Sequence, residues 1–132
     1  MTTVRQGIHH IAIRARDFDA SVRLYTEGLG LARGLAWGEG DGRGLMLVTA
    51  DGGAVELFAG GTDADEPEGH FLHLAFTSAD PDADYARALA AGATPMRPPY
   101  DHVIPTTPTP TPVRLAFVYG LDGEVLEFFH VK

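Results

Sequence analysis

An internal repeat constrains this chain more than any other feature. His10-Ile11-Ala12-Ile13-Arg14-Ala15-Arg16-Asp17 returns 63 residues later as His73-Leu74-Ala75-Phe76-Thr77-Ser78-Ala79-Asp80, with His, Ala and Asp at identical places. A segment used twice must meet the same structural demand twice, so the fold is expected to be built from two like units. In each copy one row, Ile11, Ile13 and Ala15 or Leu74, Phe76 and Ser78, alternates with a second row that starts at His10 or His73. That period of two is a strand, and its more apolar row is expected to pack on a helix while the His row faces elsewhere.

The residues that follow supply the helix. Asp17 and Asp80 are expected N-caps, and Pro81 suits a first helical position because its missing N–H would be unpaired there anyway. Phe18, Val22, Tyr25 and Leu29 recur at helical spacing and predict one apolar stripe, ended by Gly28 or Gly30. The second helix is predicted from about Pro81 to Ala91, with Tyr85 and Leu89 inward and Gly92 as its left-handed cap. Strands are then expected at about 31–37, 44–50 and 53–59, separated by glycine-rich turns, and again at about 94–98, 113–119 and 124–131.

A second aligned block ties the strand ends together. Asp51-Gly52-Gly53-Ala54-Val55-Glu56-Leu57-Phe58 matches Asp122-Gly123-Glu124-Val125-Leu126-Glu127-Phe128-Phe129, now 71 residues apart. The Pro and Thr run from Pro105 to Pro112 supplies the growth in offset; it reads equally as a connector or as a rim over a cavity. The expected fold class is α+β, with two tandem βαβββ modules at about 7–59 and 70–131 joined by a polar linker at 60–69. Together they make one domain spanning 1–132.

The repeat singles out four polar side chains at equivalent places: His10 and His73 early in the first strand of each half, and Glu56 and Glu127 in the last. Their neighbours Val55, Leu57, Leu126 and Phe128 point the other way, so each His and Glu is aimed off the apolar face. Cysteine is absent, so any metal must be held by imidazole and carboxylate. Two of each suit a first-row divalent ion such as Zn, Ni, Co, Mn or Fe better than Mg or Ca, which prefer all-oxygen shells. His9, His70, His102 and His130 break the symmetry and are not expected to ligate.

Charge and hydropathy exclude other classes. Eighteen acidic against ten basic side chains give a net charge of −8, which repels phosphate backbones and anionic lipid, so neither nucleic acid nor a membrane is an expected partner. No stretch has the roughly 20 apolar residues of a membrane span and the start lacks the apolar run of a signal peptide, so the chain reads as cytoplasmic.

His10-Ile11-Ala12-Ile13-Arg14, the helix with Tyr25 and its Leu29-Gly30-Leu31 exit, Val55-Glu56-Leu57, His73-Leu74-Ala75-Phe76 and Gly123-Glu124-Val125-Leu126-Glu127 together resemble the vicinal-oxygen-chelate superfamily (glyoxalase, bleomycin resistance protein, extradiol dioxygenase) over nearly the whole chain. The resemblance implies a curved mixed-sheet cup around one metal, with His10, Glu56, His73 and Glu127 as a complete ligand set of the glyoxalase I type. It further implies a metal-dependent lyase or isomerase that enolises a small oxygen-chelating carbonyl substrate, with Glu127 or Glu56 as the base and Arg14 meeting an anionic substrate group.

Two features depart from glyoxalase I. The turn before the last strand is Gly120-Leu121-Asp122-Gly123 rather than Asp-Pro-x-Gly, and the only lysine is Lys132, so no basic clamp for glutathione is evident. The resemblance also includes extradiol dioxygenases, whose open site Glu56 would crowd, and metal-free antibiotic-binding proteins, whose cups are lined by aromatics; Trp37, Phe58, Tyr100, Tyr119 and Phe129 are this chain's candidates for such a lining. A homodimer is expected, because half-barrels of this size leave sheet edges that a partner can cover.

Overall fold

A computed structural model describes residues 4–62, 71–121 and 123–132. The first half runs β1 (Gly7–Arg14), α1 (Phe18–Arg23), β2 (Ala32–Trp37), β3 (Gly44–Val48) and β4 (Ala54–Phe58). The second runs β5 (Phe71–Thr77), α2 (Pro81–Ala90), β6 (Thr94–Ile104), β7 (Thr111–Tyr119) and β8 (Val125–Val131). Both halves therefore follow the expected βαβββ order in an α+β chain. Most of the linker expected at 60–69, with His70, lies outside the described residues.

Two compact units result: one takes in His10–Leu72 with Pro105–Pro110, the other His73–Ile104 and Thr111–Lys132 with the residues before His10. In the first, the strands lie in the order β2-β3-β4-β1; in the second, β5-β8-β7-β6. Each sheet is mixed for the same reason. The first and last strands of the unit run parallel, β1 with β4 and β5 with β8, and the remaining neighbours are antiparallel.

The helices form where the caps predict. Asp17 accepts a hydrogen bond from the Ala20 amide, and Asp80 accepts one from that of Ala83 with Pro81 just behind it. In the first unit the apolar row delivers Ile13 and Ala15 to a core of Val22, Leu45, Leu47 and Leu57, closed by Phe18 and Tyr25. In the second, Tyr85, Ala88 and Leu89 pack on Ala116, Val118 and Phe128. Gly92 takes φ +116°, the left-handed conformation that ends α2.

Three expectations need correction. The first helix loosens after Arg23 into a π-helical turn over Leu24–Gly28, closed by the Leu29 amide on the Leu24 carbonyl at 2.9 Å. The wider turn shifts the phase of the stripe, so Leu29 is exposed and Leu31 packs on the core in its place. β6 runs to Ile104 rather than 98, passing Pro98 and Pro99 where its register with β7 shifts. An end strand with a shifted register can carry proline because a missing N–H there costs no ladder bond.

Candidate metal-binding pairs

The register of the parallel strands sets up the same contact in each unit. On β1 and β4, Ala12 stands opposite Glu56, and His10 lies two residues earlier on the same face. On β5 and β8, Ala75 stands opposite Glu127, and His73 again lies two residues earlier. A diagonal pair on one face of a sheet is within reach of long side chains. Both alanines are fully buried, and their small side chains leave the His and Glu room to meet.

They do meet. His10 Nε2 lies 3.2 Å from Glu56 Oε1, and His73 Nε2 lies 3.1 Å from Glu127 Oε1. His10, Glu56 and Glu127 are buried, at 0%, 5% and 4% exposure, while His73 is half-buried. Carboxylates are rarely withdrawn from water unless a partner compensates them. Each unit therefore holds an imidazole and a carboxylate preorganised on one another, where unrelated surface residues would point into solvent.

The third strand of each unit adds an apolar neighbour that the sequence pattern did not single out. Met46 of β3 stands opposite Glu56, and Phe117 of β7 stands opposite Glu127. The Phe117 ring meets the His73 imidazole edge-on at 6.0 Å. A thioether and a phenyl ring shield the two carboxylates from one side. The signal for them was available: both occupy the cross-strand position opposite a conspicuous strand Glu.

The remaining sequence candidates lie elsewhere on these sheets. Arg14 donates from Nη1 to the Ala59 carbonyl at 2.8 Å, with its guanidinium 5.5 Å from the Phe58 ring centre. Trp37 meets Phe58 edge-on at 5.9 Å. Tyr100 is half-buried beneath the Arg97 guanidinium, and burial pushes its hydroxyl above the ordinary phenol value. Phe129 belongs to the core and stacks on His9; Tyr119 is exposed. His130 Nδ1 sits 2.9 Å from the Ser78 carbonyl, and the His102 ring lies 6.3 Å from that of Tyr100.

The donor chemistry fits a divalent ion. Each pair presents an imidazole nitrogen and a carboxylate oxygen at hydrogen-bond distance, and neutral imidazole with ionised carboxylate is a common first-row ligand combination. Either pair alone would supply half of a four-ligand protein shell.

The sequence pattern of the Glyoxalase/Bleomycin resistance protein/Dioxygenase superfamily matches residues 7–128. The chain belongs to that superfamily. No curated protein matches it in sequence. Among solved structures, a hypothetical protein from Bacillus halodurans C-125 superposes with a TM-score of 0.70 at 15% identity, over 96% of this chain and 95% of that one. Methylmalonyl-CoA epimerase from Mycobacterium tuberculosis gives 0.67 at 20% identity, over 94% and 87%. A variant of the Streptomyces coelicolor epimerase in complex with 2-nitronate-propionyl-CoA gives 0.63 at 25% identity, over 94% and 93%. Superfamily members share this βαβββ architecture without sharing one reaction. No described helix is long and apolar enough to cross a membrane.

Proposed function

We propose that the protein is a metal-dependent isomerase or lyase of the glyoxalase type that moves a proton on the carbon beside a carbonyl. The proposed ligands of its single divalent first-row ion are His10, Glu56, His73 and Glu127. The observation that carries this reading is the duplicated His–Glu pair, 3.2 Å and 3.1 Å across equivalent strands, with both carboxylates buried. A pair kept only for folding need not recur at the equivalent register of both halves.

When bound, the ion supplies Lewis-acid stabilisation of the negative charge that develops on the substrate oxygens. The protein does the rest. The carboxylate of Glu127, or that of Glu56, takes the proton from the carbon; the C–H electron pair moves toward the carbonyl oxygen, and the proton returns to carbon to complete the exchange. The imidazole beside each carboxylate fixes its direction, and the Met46 and Phe117 side chains keep water from one side of it. Arg14, anchored at one nitrogen by the Ala59 carbonyl, is the proposed contact for an anionic substrate group.

Within this reaction class the epimerase form is favoured over the lyase form. Several of the superposing proteins are methylmalonyl-CoA epimerases, and the only lysine of this chain is Lys132, so no lysine clamp for glutathione is evident. The substrate class is a carbonyl compound with a second oxygen placed to chelate, for which methylmalonyl-CoA is the first compound to assay. Protein loaded with Co, Ni, Zn, Mn or Fe in turn should exchange the α-proton of that thioester, or of another 2-substituted keto acid or keto ester, with solvent. Failure of every metal form with the whole set would overturn the assignment.

A further inference from the structure

A pocket lies in the first unit at the β2–β3 hairpin, and none of His10, Glu56, His73 and Glu127 lines it. Leu45, which lines it, alternates along β3 with Met46, the residue opposite Glu56. Leu45 instead joins the helix-side core with Phe18, which also lines the pocket. The cavity is about 200 Å³. Thr107 closes one side: its amide donates to the Ala36 carbonyl at 3.1 Å, so the Pro-Thr run is strapped across the edge of β2.

Two of the ten basic side chains in a chain of net charge −8 line this one cavity. The Arg43 guanidinium stacks 4.5 Å from the Phe18 ring centre and is further held by its Nε bond to the Gly40 carbonyl and by Asp19 at 3.2 Å. The Arg33 side chain has no ion pair or hydrogen bond among the described residues. A pocket with an aromatic wall, one fixed guanidinium and one guanidinium lacking a counter-charge among the described residues matches a small planar anion: the ring meets Phe18 and Leu45, and the acid group meets the two arginines.

We infer that this pocket is a binding site, separate from the His–Glu pairs, for a small aromatic or similarly planar carboxylate. Arg33 supplies the decisive charge, Arg43 the oriented second donor and Thr107 the outer wall. The site does not rest on the proposed metal chemistry, since none of the four His and Glu side chains lines it.

Trp37, the only tryptophan, also lines the pocket, so its emission reports occupancy directly. Titrating the full chain with benzoate should change that emission saturably in the millimolar range expected of so small a ligand. Arg33→Gln should weaken binding about tenfold or more, the loss of one charge-assisted contact. Benzamide, the same ring without the charge, should bind more weakly by a similar factor, and chelator-treated protein should bind benzoate unchanged. Arg33 lies on an exposed end strand, so its variant is expected to fold, which far-ultraviolet circular dichroism checks. No saturable change, equal binding of benzamide, full affinity in Arg33→Gln, or loss of binding on chelation would each overturn the inference.

Discussion

His10 and Glu56 reach each other diagonally between two parallel strands, Nε2 to Oε1 at 3.2 Å, with the imidazole fully withdrawn from solvent. The contact needs Ala12: it stands opposite Glu56 on the same face as His10, and a larger side chain there would fill the space through which the pair meets. Replacing Ala12 with Val should cost about 1–3 kcal/mol from overpacking. It should also lower the amount of metal bound, because the pair would no longer be preorganised. Chemical denaturation and elemental analysis of the one variant check both.

Asp84 gives a pH dependence that needs no metal. Burial alone pushes its carboxyl up, but hydrogen bonds from Gln6, Ser78 and Arg87 outweigh that effect and hold it below its ordinary value of 3.8. The Ser78 hydroxyl donates to it at 2.6 Å. A lowered carboxylate contributes stability that is fully present above the unfolded value and is lost as the pH falls through the folded one. Asp84→Asn should therefore cost about 1.5–3 kcal/mol near neutrality, and the gap from the parent should narrow below about pH 4. Thermal melts of both proteins across that range test it; a gap that stays constant with pH would contradict it.

Gly44 is required by Trp37. A Cβ at Gly44 would run into the indole Cε2, Cζ2 and Nε1 atoms, so Gly44→Ala must displace the ring. The expected cost is about 1–3 kcal/mol, with a shift in the tryptophan emission maximum. An unshifted spectrum together with full stability would show that the ring is not seated there.

The strand order of each unit puts β2 and β6 at an end; Thr107 bridges β2 at Ala36, and the rest of that edge stays open among the described residues. Leu35 on β2 and Met96 and Val103 on β6 are exposed. Open edges that carry apolar side chains favour pairing with another chain, so the protein is expected to be a homodimer in solution. Light scattering that gives a monomer mass at working concentration would contradict this.

Much of this was legible in the sequence because the repeat carries two kinds of information at once. Its period of two assigns faces, which placed His10, Glu56, His73 and Glu127 off the apolar rows. Its two offsets, 63 and 71, identified the equivalent strands. What escaped was set by tertiary context. A helical wheel over Phe18, Val22, Tyr25 and Leu29 assumes an unbroken α-helix, and one π-helical turn is enough to release Leu29. Pro98 and Pro99 signal a strand end by propensity, yet β6 continues past them where its register shifts. The Ala59 carbonyl that holds Arg14 lies 45 residues away and has no local signature.

The metal assignment makes a structural prediction of its own. A ligand that binds only the folded state raises stability by mass action, by about 2.7 kcal/mol when present at a hundred times its dissociation constant. The parent should melt higher with added metal, whereas His73→Ala should lose stoichiometric metal and with it that increment. Full metal content in His73→Ala, measured by elemental analysis, would show that the ligands lie elsewhere.

Exchange of a substrate α-proton with solvent deuterium tests proton transfer most directly, because it reads C–H cleavage whether or not a net product forms. Metal-loaded protein should exchange the α-proton of a chelating carbonyl substrate, and Glu127→Gln should slow that exchange by orders of magnitude while the fold and bound substrate are retained. Exchange that survives replacement of both Glu56 and Glu127, or oxygen consumption with a catechol in place of exchange, would contradict the proposed chemistry.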